Sequence, residues 1–155
     1  MLLHQGAVSD GIIGTIRPHN LAVCSEGINF LLGELPHIKG RAELMLQDEK
    51  KADIDGIINK LRGSLIAHRD DLYGKISSEI SDTYKNYINQ SNQLDLLTWI
   101  DPSVEVKAIL EEVKDVLPRE RVNLIFQEAF NTSATALENF VIGFIHTITK
   151  EKAEM

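Results

Sequence analysis

Cysteine and aromatic residues are scarce in this chain, and it has no long hydrophobic run. Cys24 is the only cysteine, so no intrachain disulfide can form, and a reducing cytoplasmic setting is the simplest expectation. Only 6% of the residues are aromatic, which indicates a core of aliphatic side chains. The longest apolar stretch, residues 139–148, is interrupted by polar residues and is shorter than the roughly 20 residues that span a bilayer. We therefore expect no membrane crossing.

Basic residues are also in the minority, with 16 lysines and arginines against 23 acidic residues and a net charge of −7. Broad, non-specific binding to nucleic acid depends on the neutralisation of phosphates by basic side chains, so this balance disfavours it. A small, local basic site remains compatible with the composition.

The N-terminal residues show no targeting signal. The segment from Met1 to Ile16 lacks a basic start, a compact apolar stretch of secretory length and a small-residue cleavage site. Residues 1–18 are compatible with a flexible or peripheral arm of the domain. Within them, the glycine-rich stretch 6–16 holds the one strand-like alternation in the sequence.

Most of the chain carries apolar residues at steps of three and four, which is the period of an amphipathic helix. A chain of 155 residues is expected to form one domain with a single core. The first helix is predicted to begin after Pro18, with Asn20 as its N-cap. Its apolar face contains Leu21, Cys24, Ile28, Leu31 and Leu35. Pro36 is expected to end or kink this helix. A second helical piece over residues 38–46, either separate from the first or continuous with it through a proline kink, leads to a polar tract.

The longest predicted helix lies in the middle of the chain, begins near Asp53 and ends in the polar run 89–92. Its apolar stripe continues for about thirty residues, and one position holds a histidine where an aliphatic residue is expected. The inward positions are Ile54, Ile58, Leu61, Leu65, His68, Leu72, Ile76, Ile80, Tyr84 and Tyr87. A histidine that faces a core needs a hydrogen-bond partner or a functional reason.

Two further helices are predicted beyond a short connector around Trp99. Asp101 and Pro102 have the pattern of an N-cap and a first helical residue. In the helix that follows, the residues predicted to face inward are Val106, Ile109, Leu110, Val113 and Leu117. Pro118 then restarts the chain into a C-terminal helix of about seven turns. Its apolar rows contain Val122, Phe126, Ala129, Ser133, Leu137, Phe140, Phe144 and Ile148, with Ile125, Phe130, Val141 and Ile145 beside them.

These segments predict an all-α fold. The architecture that fits them is an up-and-down helical bundle of four to five helices, with a long central helix and a long C-terminal helix.

A short segment of the central helix carries the candidate chemistry. Arg62 precedes His68 by six residues. Imidazole titrates near neutral pH and can move a proton to or from a reacting group. A guanidinium group is a permanent, bidentate donor to phosphate oxygens. Lys60, Ser64 and Arg69 are the candidate substrate-binding residues beside this pair, and the chemistry requires neither a metal nor a cofactor.

The run from Leu61 to Asp70 resembles the signature of HEPN-domain proteins, especially of their abortive-infection-like branch. These proteins are all-helical bundles in which an Arg-x(4–6)-His motif marks a metal-independent ribonuclease site. The resemblance covers about ten residues closely and the helical arrangement loosely. It implies that Arg62 and His68 are the catalytic pair and that two copies meet across a homodimer interface to form a composite site. It further implies an RNA-cleaving or RNA-binding role in defence or as a toxin, under an antitoxin or another regulatory protein.

This sequence departs from the family pattern at two positions. The family usually has a polar residue directly after the arginine, whereas Gly63 stands here and Ser64 follows it. In one toxin branch a tyrosine two residues after the histidine accepts a nucleotide from the antitoxin. That position is Asp70 here, so this form of control does not carry over.

Helix geometry limits what one copy of the motif can do. Six residues rise about 9 Å and rotate by about 600°, so Arg62 and His68 lie about 120° apart on the helix. They share one phosphate only if Arg62 reaches around the helix or a second subunit completes the site. The structural alternative is a core histidine that is hydrogen-bonded internally, with Arg62 paired to a surface acid.

A metal site is a weaker alternative. Glu34 and His37 have the Glu-x-x-His spacing of carboxylate-bridged metal sites, but Pro36 stands between them and no second copy of the motif exists. We therefore predict no bound metal.

A second class of function is also compatible with the sequence. The wide apolar surface of the C-terminal helix is typical of a helix buried on two sides or at a subunit interface. The alternative to a ribonuclease is thus a non-catalytic helical protein that regulates or scaffolds through protein–protein contacts.

Overall fold

The computed structural model describes residues 17–46, 50–91 and 103–153, which form four helices. The helices are α1 (Pro18–Met45), α2 (Lys51–Ser91), α3 (Ser103–Val113) and α4 (Arg119–Ala153). These ranges contain no strand, so the predicted all-α class is confirmed, together with the long central and C-terminal helices. The arm before Arg17, the connector around Trp99 and the cap at residues 101–102 lie outside the described residues.

Two cross-contacts show that α1 and α2 form an antiparallel pair. Near their connection, Lys39 forms an ion pair with Asp55 at 2.5 Å. Ten residues earlier in α1, Asn29 hydrogen-bonds to Tyr73, which lies far along α2. The α1 numbers fall as the α2 numbers rise, as in a hairpin of two helices.

The other two helices continue the alternation of direction. At one end of α3, Glu105 accepts a hydrogen bond of 2.9 Å from the Tyr87 hydroxyl near the end of α2, so α3 returns along α2. The ring of Phe130 in α4 lies 5.4 Å from the ring of Tyr84, and the Arg121 guanidinium lies 4.6 Å from the Tyr73 ring. Because the residue numbers of α2 and α4 rise in the same direction, α4 runs parallel to α2. The four helices thus alternate in direction along the chain, as in an up-and-down bundle.

The hydrophobic core lies at one end of the molecule. It joins the start of α1, the C-terminal half of α2, all of α3 and the first half of α4. Its buried members are Leu21, Ala22, Tyr73, Ile76, Ile80, Val106, Ile109, Val113, Leu117, Val122, Ile125 and Ala129. All the residues that were predicted to face inward from α3 are buried or packed against this cluster.

At the other end, among the residues that the structure describes, α1 packs against the part of α2 that precedes the level where α4 begins. We call this part, residues 30–45 of α1 and 53–70 of α2, the hairpin end. None of its described side chains in α2 is fully buried, and Leu35 of α1 is buried there at 2% exposure. The large apolar side chains that remain exposed there are Phe30, Leu31, Ile38, Leu44, Met45, Ile57, Leu61 and Ile66. The predicted ribonuclease motif lies on the hairpin end.

Helix α1 differs from the prediction at its N-cap and at Cys24. It begins at Pro18 with Arg17 in the N-cap position, so the assignment of the N-cap to Asn20 is wrong, and Pro18 is buried within the bundle. Of the two alternatives expected at Pro36, the helix end is excluded, because α1 continues through this proline as one helix. That proline removes one backbone hydrogen bond and is exposed, while its neighbour Leu35 packs inward. Cys24 is exposed.

The register of α1 explains the exposure of Cys24. The small residues Ala22 and Ser25 are buried at 0% exposure, and the Ser25 hydroxyl donates to the Ala22 carbonyl at 2.8 Å. Small side chains let helices approach closely, so this face turns inward and the cysteine is rotated to the surface.

Three leucines that were predicted to face inward are largely exposed. Leu31 is 48% exposed, Leu61 44% and Leu137 45%. The first two lie in the hairpin end, where a single partner helix covers one side. Leu137 lies seven residues beyond Phe130, level with the last described residues of α2, so α2 covers little of it.

No helix in the described part of the chain combines the length and apolarity that crossing a membrane requires.

Helix α3 makes a polar contact with α1 and brings an acidic side chain close to another on α2. The backbone N–H of His19 donates to the Glu112 carboxylate at 3.4 Å, and His19 Nδ1 lies 3.1 Å from the Glu112 carbonyl. Burial raises the pKa of Glu79, and the nearby charge of Glu112 raises it further. The Glu79 carboxyl of α2 and the Glu112 carboxyl of α3 thus lie close enough for their charges to oppose each other.

The core at the C-terminal half of α2 can be tested by truncation. Ile80 is 0% exposed, so Ile80→Ala should lower the free energy of unfolding by about 2–5 kcal/mol through lost burial and a residual cavity. Ile57 is 64% exposed, and Ile57→Ala, the matched control, should change it by less than about 0.5 kcal/mol. Urea denaturation measures both; equal losses would contradict the position of the core.

The pKa of Glu79 gives a pH-dependent prediction. An acid with a raised pKa binds its proton more tightly in the folded chain, so its charged form destabilises the fold above that pKa. Glu79→Gln should therefore be more stable than the wild type at neutral pH, by less than about 1 kcal/mol because the carboxyl is partly solvated. The difference should shrink as the pH falls through the raised pKa.

Thermal denaturation between pH 4 and 8 measures this difference. Glu128→Gln, at an exposed position of α4, is the control for the loss of a surface carboxylate and should change the stability by less than about 0.5 kcal/mol at pH 7. A Glu79→Gln protein that is less stable than the wild type at pH 7 would show that the carboxylate is favourable.

Candidate functional site

The inward stripe of α2 passes beside His68 rather than through it. His68 is exposed, whereas its neighbour Arg69 is partly buried, with its side chain 20% exposed. The prediction that His68 faces the core is therefore wrong. The alternative of an internally hydrogen-bonded histidine is wrong for the same reason.

The five predicted site residues separate into two groups on α2. Lys60, Ser64 and His68 follow one another at steps of four and so share one side of the helix. Arg62 and Arg69 are seven residues apart and lie within about 20° of each other on another side. His68 lies about 120° from Arg62. One copy of the chain does not bring the two groups together.

Packed side chains occupy the sector between the two groups. On an ideal helix, Leu65 and Leu72 fall between the directions of Arg62 and His68, and both leucines are partly buried. The arginine group and the histidine group therefore flank the strip of α2 that is packed. Within a single chain, Arg62 would have to cross this strip to reach the imidazole.

Four of the five predicted residues are free at the surface. Lys60, Arg62, Ser64 and His68 are exposed, and none has a hydrogen bond or ion pair with another residue in the described ranges. The pairing of Arg62 with a surface acid, which the structural alternative required, is not found among those residues. These groups are available to a ligand or to a partner chain.

The two aspartates that follow the motif are each engaged by a cation. Asp70 accepts hydrogen bonds from Nε and Nη2 of Arg69 at 3.0 and 2.8 Å. Asp71 pairs with Lys75, one turn further along α2, at 2.8 Å. Their charges are thus partly neutralised, which leaves Lys60 and Arg62 as the uncompensated charges of the segment.

Arg69 belongs to a polar cluster that joins three helices, which sequence periodicity did not predict. Its Nη1 donates to Asn29 Oδ1 of α1 at 3.3 Å. Asn29 Nδ2 in turn donates to the Tyr73 hydroxyl at 3.1 Å and to Glu26 Oε1 at 2.9 Å. Guanidinium groups from two helices lie near the Tyr73 ring: Arg69 at 5.9 Å and Arg121 at 4.6 Å, within the range of a cation–π contact.

This cluster gives Arg69 a structural duty besides its predicted contact with substrate. Its guanidinium is already held by Asp70 and Asn29, so it has fewer donors left than Arg62 has. The spacing of Arg69 and Tyr73, four residues on one helix, was the available sequence signal for their contact. The contributions of Asn29 and Arg121 come from distant parts of the chain.

The described residues contain no group of three histidine, cysteine or acidic side chains that could hold a metal ion. Glu34 and His37 keep their helical spacing because α1 continues through Pro36. Two ligands from one helix do not complete a coordination shell.

Neither a family model, nor a curated protein, nor a solved structure matches this chain. The resemblance to HEPN-domain proteins accordingly depends on the residues around Arg62 and His68 themselves.

The two arginines of the motif can be distinguished by stability. Arg69→Ala removes a cross-helix hydrogen bond and a cation–π contact and should cost about 1–2 kcal/mol of unfolding free energy. Arg62→Ala and His68→Ala remove exposed groups without partners in the described ranges and should each cost less than about 0.5 kcal/mol. Denaturation in urea measures all three, and a loss on Arg62→Ala equal to that on Arg69→Ala would disprove the distinction.

Proposed function

We propose that this protein is a HEPN-like, metal-independent endoribonuclease of the defence or toxin type that acts as a homodimer. In this proposal His68 moves the proton at the ribose 2′-hydroxyl or at the leaving oxygen. Arg62 stabilises the charge that builds on the phosphate oxygens. Lys60, Ser64 and Arg69 contact the RNA beside them. As a toxin, the protein would act under an antitoxin or another regulatory partner.

The proposal depends on the exposure of the two motif side chains and on their lack of partners within the described residues. Arg62 and His68 lie on the central helix, are exposed, and have no partner in the described part of the chain. A permanent cation and a group that titrates near neutral pH are what cleavage of RNA without a metal requires.

Their separation on the helix favours a site shared by two chains. In a twofold dimer each contact occurs twice, so Arg62 of one copy can meet His68 of the other at two equivalent sites. The apolar side chains exposed at the hairpin end, such as Phe30 and Ile57 at 68% and 64% exposure, offer surface for such an association.

Catalysis can be tested by cleavage of a fluorescent RNA in EDTA. His68→Ala and Arg62→Ala should each reduce the rate by at least about a hundredfold, since each removes a proton-transfer group or the main charge stabiliser. Lys107→Ala and Arg119→Ala, at exposed positions of α3 and α4 outside the hairpin end, are the controls and should retain the wild-type rate. Undiminished cleavage by the His68→Ala protein would reject the assignment.

Mixing the two inactive variants tests the shared site. If each site takes Arg62 from one chain and His68 from the other, about half of the randomly mixed dimers carry one intact site, and about a quarter of the wild-type activity should return. A site built within one chain would give no recovery. Light scattering on the same samples gives the mass of the assembly.

A second function is favoured by a separate observation on α4. Leu124, Phe130, Leu137 and Ile142 are 54%, 46%, 45% and 48% exposed. Leu124 and Ile142 point in the same direction on the helix, and Phe130 and Leu137 form a second row on another side of it. Exposed apolar rows of this kind are typical of a protein-binding surface. The alternative is therefore a non-catalytic protein that regulates or scaffolds through this helix, and it predicts no RNA cleavage by the wild type.

A further inference from the structure

A cleft lies where the first turn of α4 meets α1 and α2. Its volume is about 220 Å³, and it is lined by Glu26, Asn29, Tyr73, Pro118, Glu120, Arg121 and Leu124. Pockets for drug-sized ligands are usually about 300–1,000 Å³. The cleft is therefore suited to a group about as large as a single nucleobase.

The cleft contains a guanidinium group whose hydrogen-bond donors are unused. Arg121 lies over the buried Tyr73 ring at 4.6 Å, and this cation–π contact holds the guanidinium at the cleft. It has no acceptor within hydrogen-bonding distance among the described residues. An arginine held in this way presents a planar pair of N–H donors to a bidentate acceptor.

Acceptors line the same cleft without closing on this arginine. Glu26 uses one carboxylate oxygen for the Asn29 amide, and Glu120 is exposed at the start of α4. Neither forms an ion pair with Arg121 within the described ranges. The cleft thus offers donors and acceptors that remain apart from each other, with the apolar side chain of Leu124 beside them.

This arrangement fits a neutral, planar ligand better than a bare anion. The two carboxylates would repel a phosphate that entered the cleft. A guanine base instead presents two acceptors, O6 and N7, which arginine binds in bidentate fashion. The same base carries N–H donors on its Watson–Crick edge, which a carboxylate can accept, and a flat face that packs on apolar side chains.

The cleft is also connected to the motif along α2. Arg62, Arg69 and Tyr73 lie within about 40° of one another on the helix, and Arg62 is about 16 Å from Tyr73 along the axis. Arg69 approaches the Tyr73 ring at 5.9 Å. Guanidinium groups thus follow one side of α2 from the motif to the cleft.

We propose that this cleft binds a guanine base of single-stranded RNA and so gives the nuclease its base preference. The inference rests on the proposed function for the role of RNA as substrate. The binding of guanine itself is a separate property that can be measured without cleavage.

Titration of the wild-type protein with guanosine 5′-monophosphate and adenosine 5′-monophosphate tests the binding by calorimetry. The guanine nucleotide should bind at least about tenfold more tightly, which is the discrimination expected of one bidentate contact. Arg121→Ala and Glu26→Gln should each remove that preference. In the second variant an amide N–H₂ would face the donors of the base.

Two further variants separate binding from folding and from charge. Arg119→Ala removes a positive charge from the same turn of α4 at an exposed residue that does not line the cleft, and it should keep the full preference. Arg121→Lys keeps the charge but loses the planar fork and should lose the preference. Equal binding of both nucleotides by the wild type, or unchanged preference in Arg121→Lys, would overturn the proposal.

The cleavage pattern distinguishes failure of this inference from failure of the proposed function. If the wild type cleaves RNA near guanines and Arg121→Lys cleaves without that preference, the cleft sets the specificity. Cleavage with no guanine preference in either protein would overturn the inference and leave the nuclease intact. Guanine-selective binding without any cleavage would refute the nuclease and keep the cleft as a guanine site.

Discussion

The fold depends on the burial of the C-terminal half of α2 against three other helices. Ile76 and Ile80 are 0% exposed, and contacts from α1, α3 and α4 converge on this half of the helix. The N-terminal half of the same helix has α1 as its packing partner. The contrast between the two halves leaves the motif exposed and places the cleft at the level where α4 begins.

The same contrast explains which parts of the fold the sequence can predict. Helical periodicity is sufficient to identify the helices, because each must bury an apolar stripe. It does not specify how many partners a helix has. In the hairpin end α1 covers only a narrow sector of α2, around Ile58 and Leu65, so Leu61 and His68 at the edge of that sector are exposed. Where α4 joins, the buried sector widens toward Tyr73 and Ser77. Similarly, a proline at an exposed position of α1 does not end a helix that α2 supports on both sides of it.

The candidate site was only partly predictable for a related reason. Arg62 and His68 are close in sequence, so a motif is enough to select them, and the structure adds that they lie on different sides of α2. The cluster around Tyr73 depends on Asn29 and Arg121, which are far apart along the chain and show no local pattern. Contacts of this kind arise from the topology that brings α1 and α4 to the same level of α2.

Helix α2 is continuous in its backbone hydrogen bonds but has two different environments along its length. Amide groups between Ile76 and Ile80 can exchange their hydrogens with solvent only when the core opens, whereas those of the hairpin end are released by separation of α1 from α2. Local opening near Arg62 therefore costs less free energy than global unfolding. Amide hydrogens should therefore exchange slowly at the core end of α2 and faster at the hairpin end, where the side chains of the motif lie.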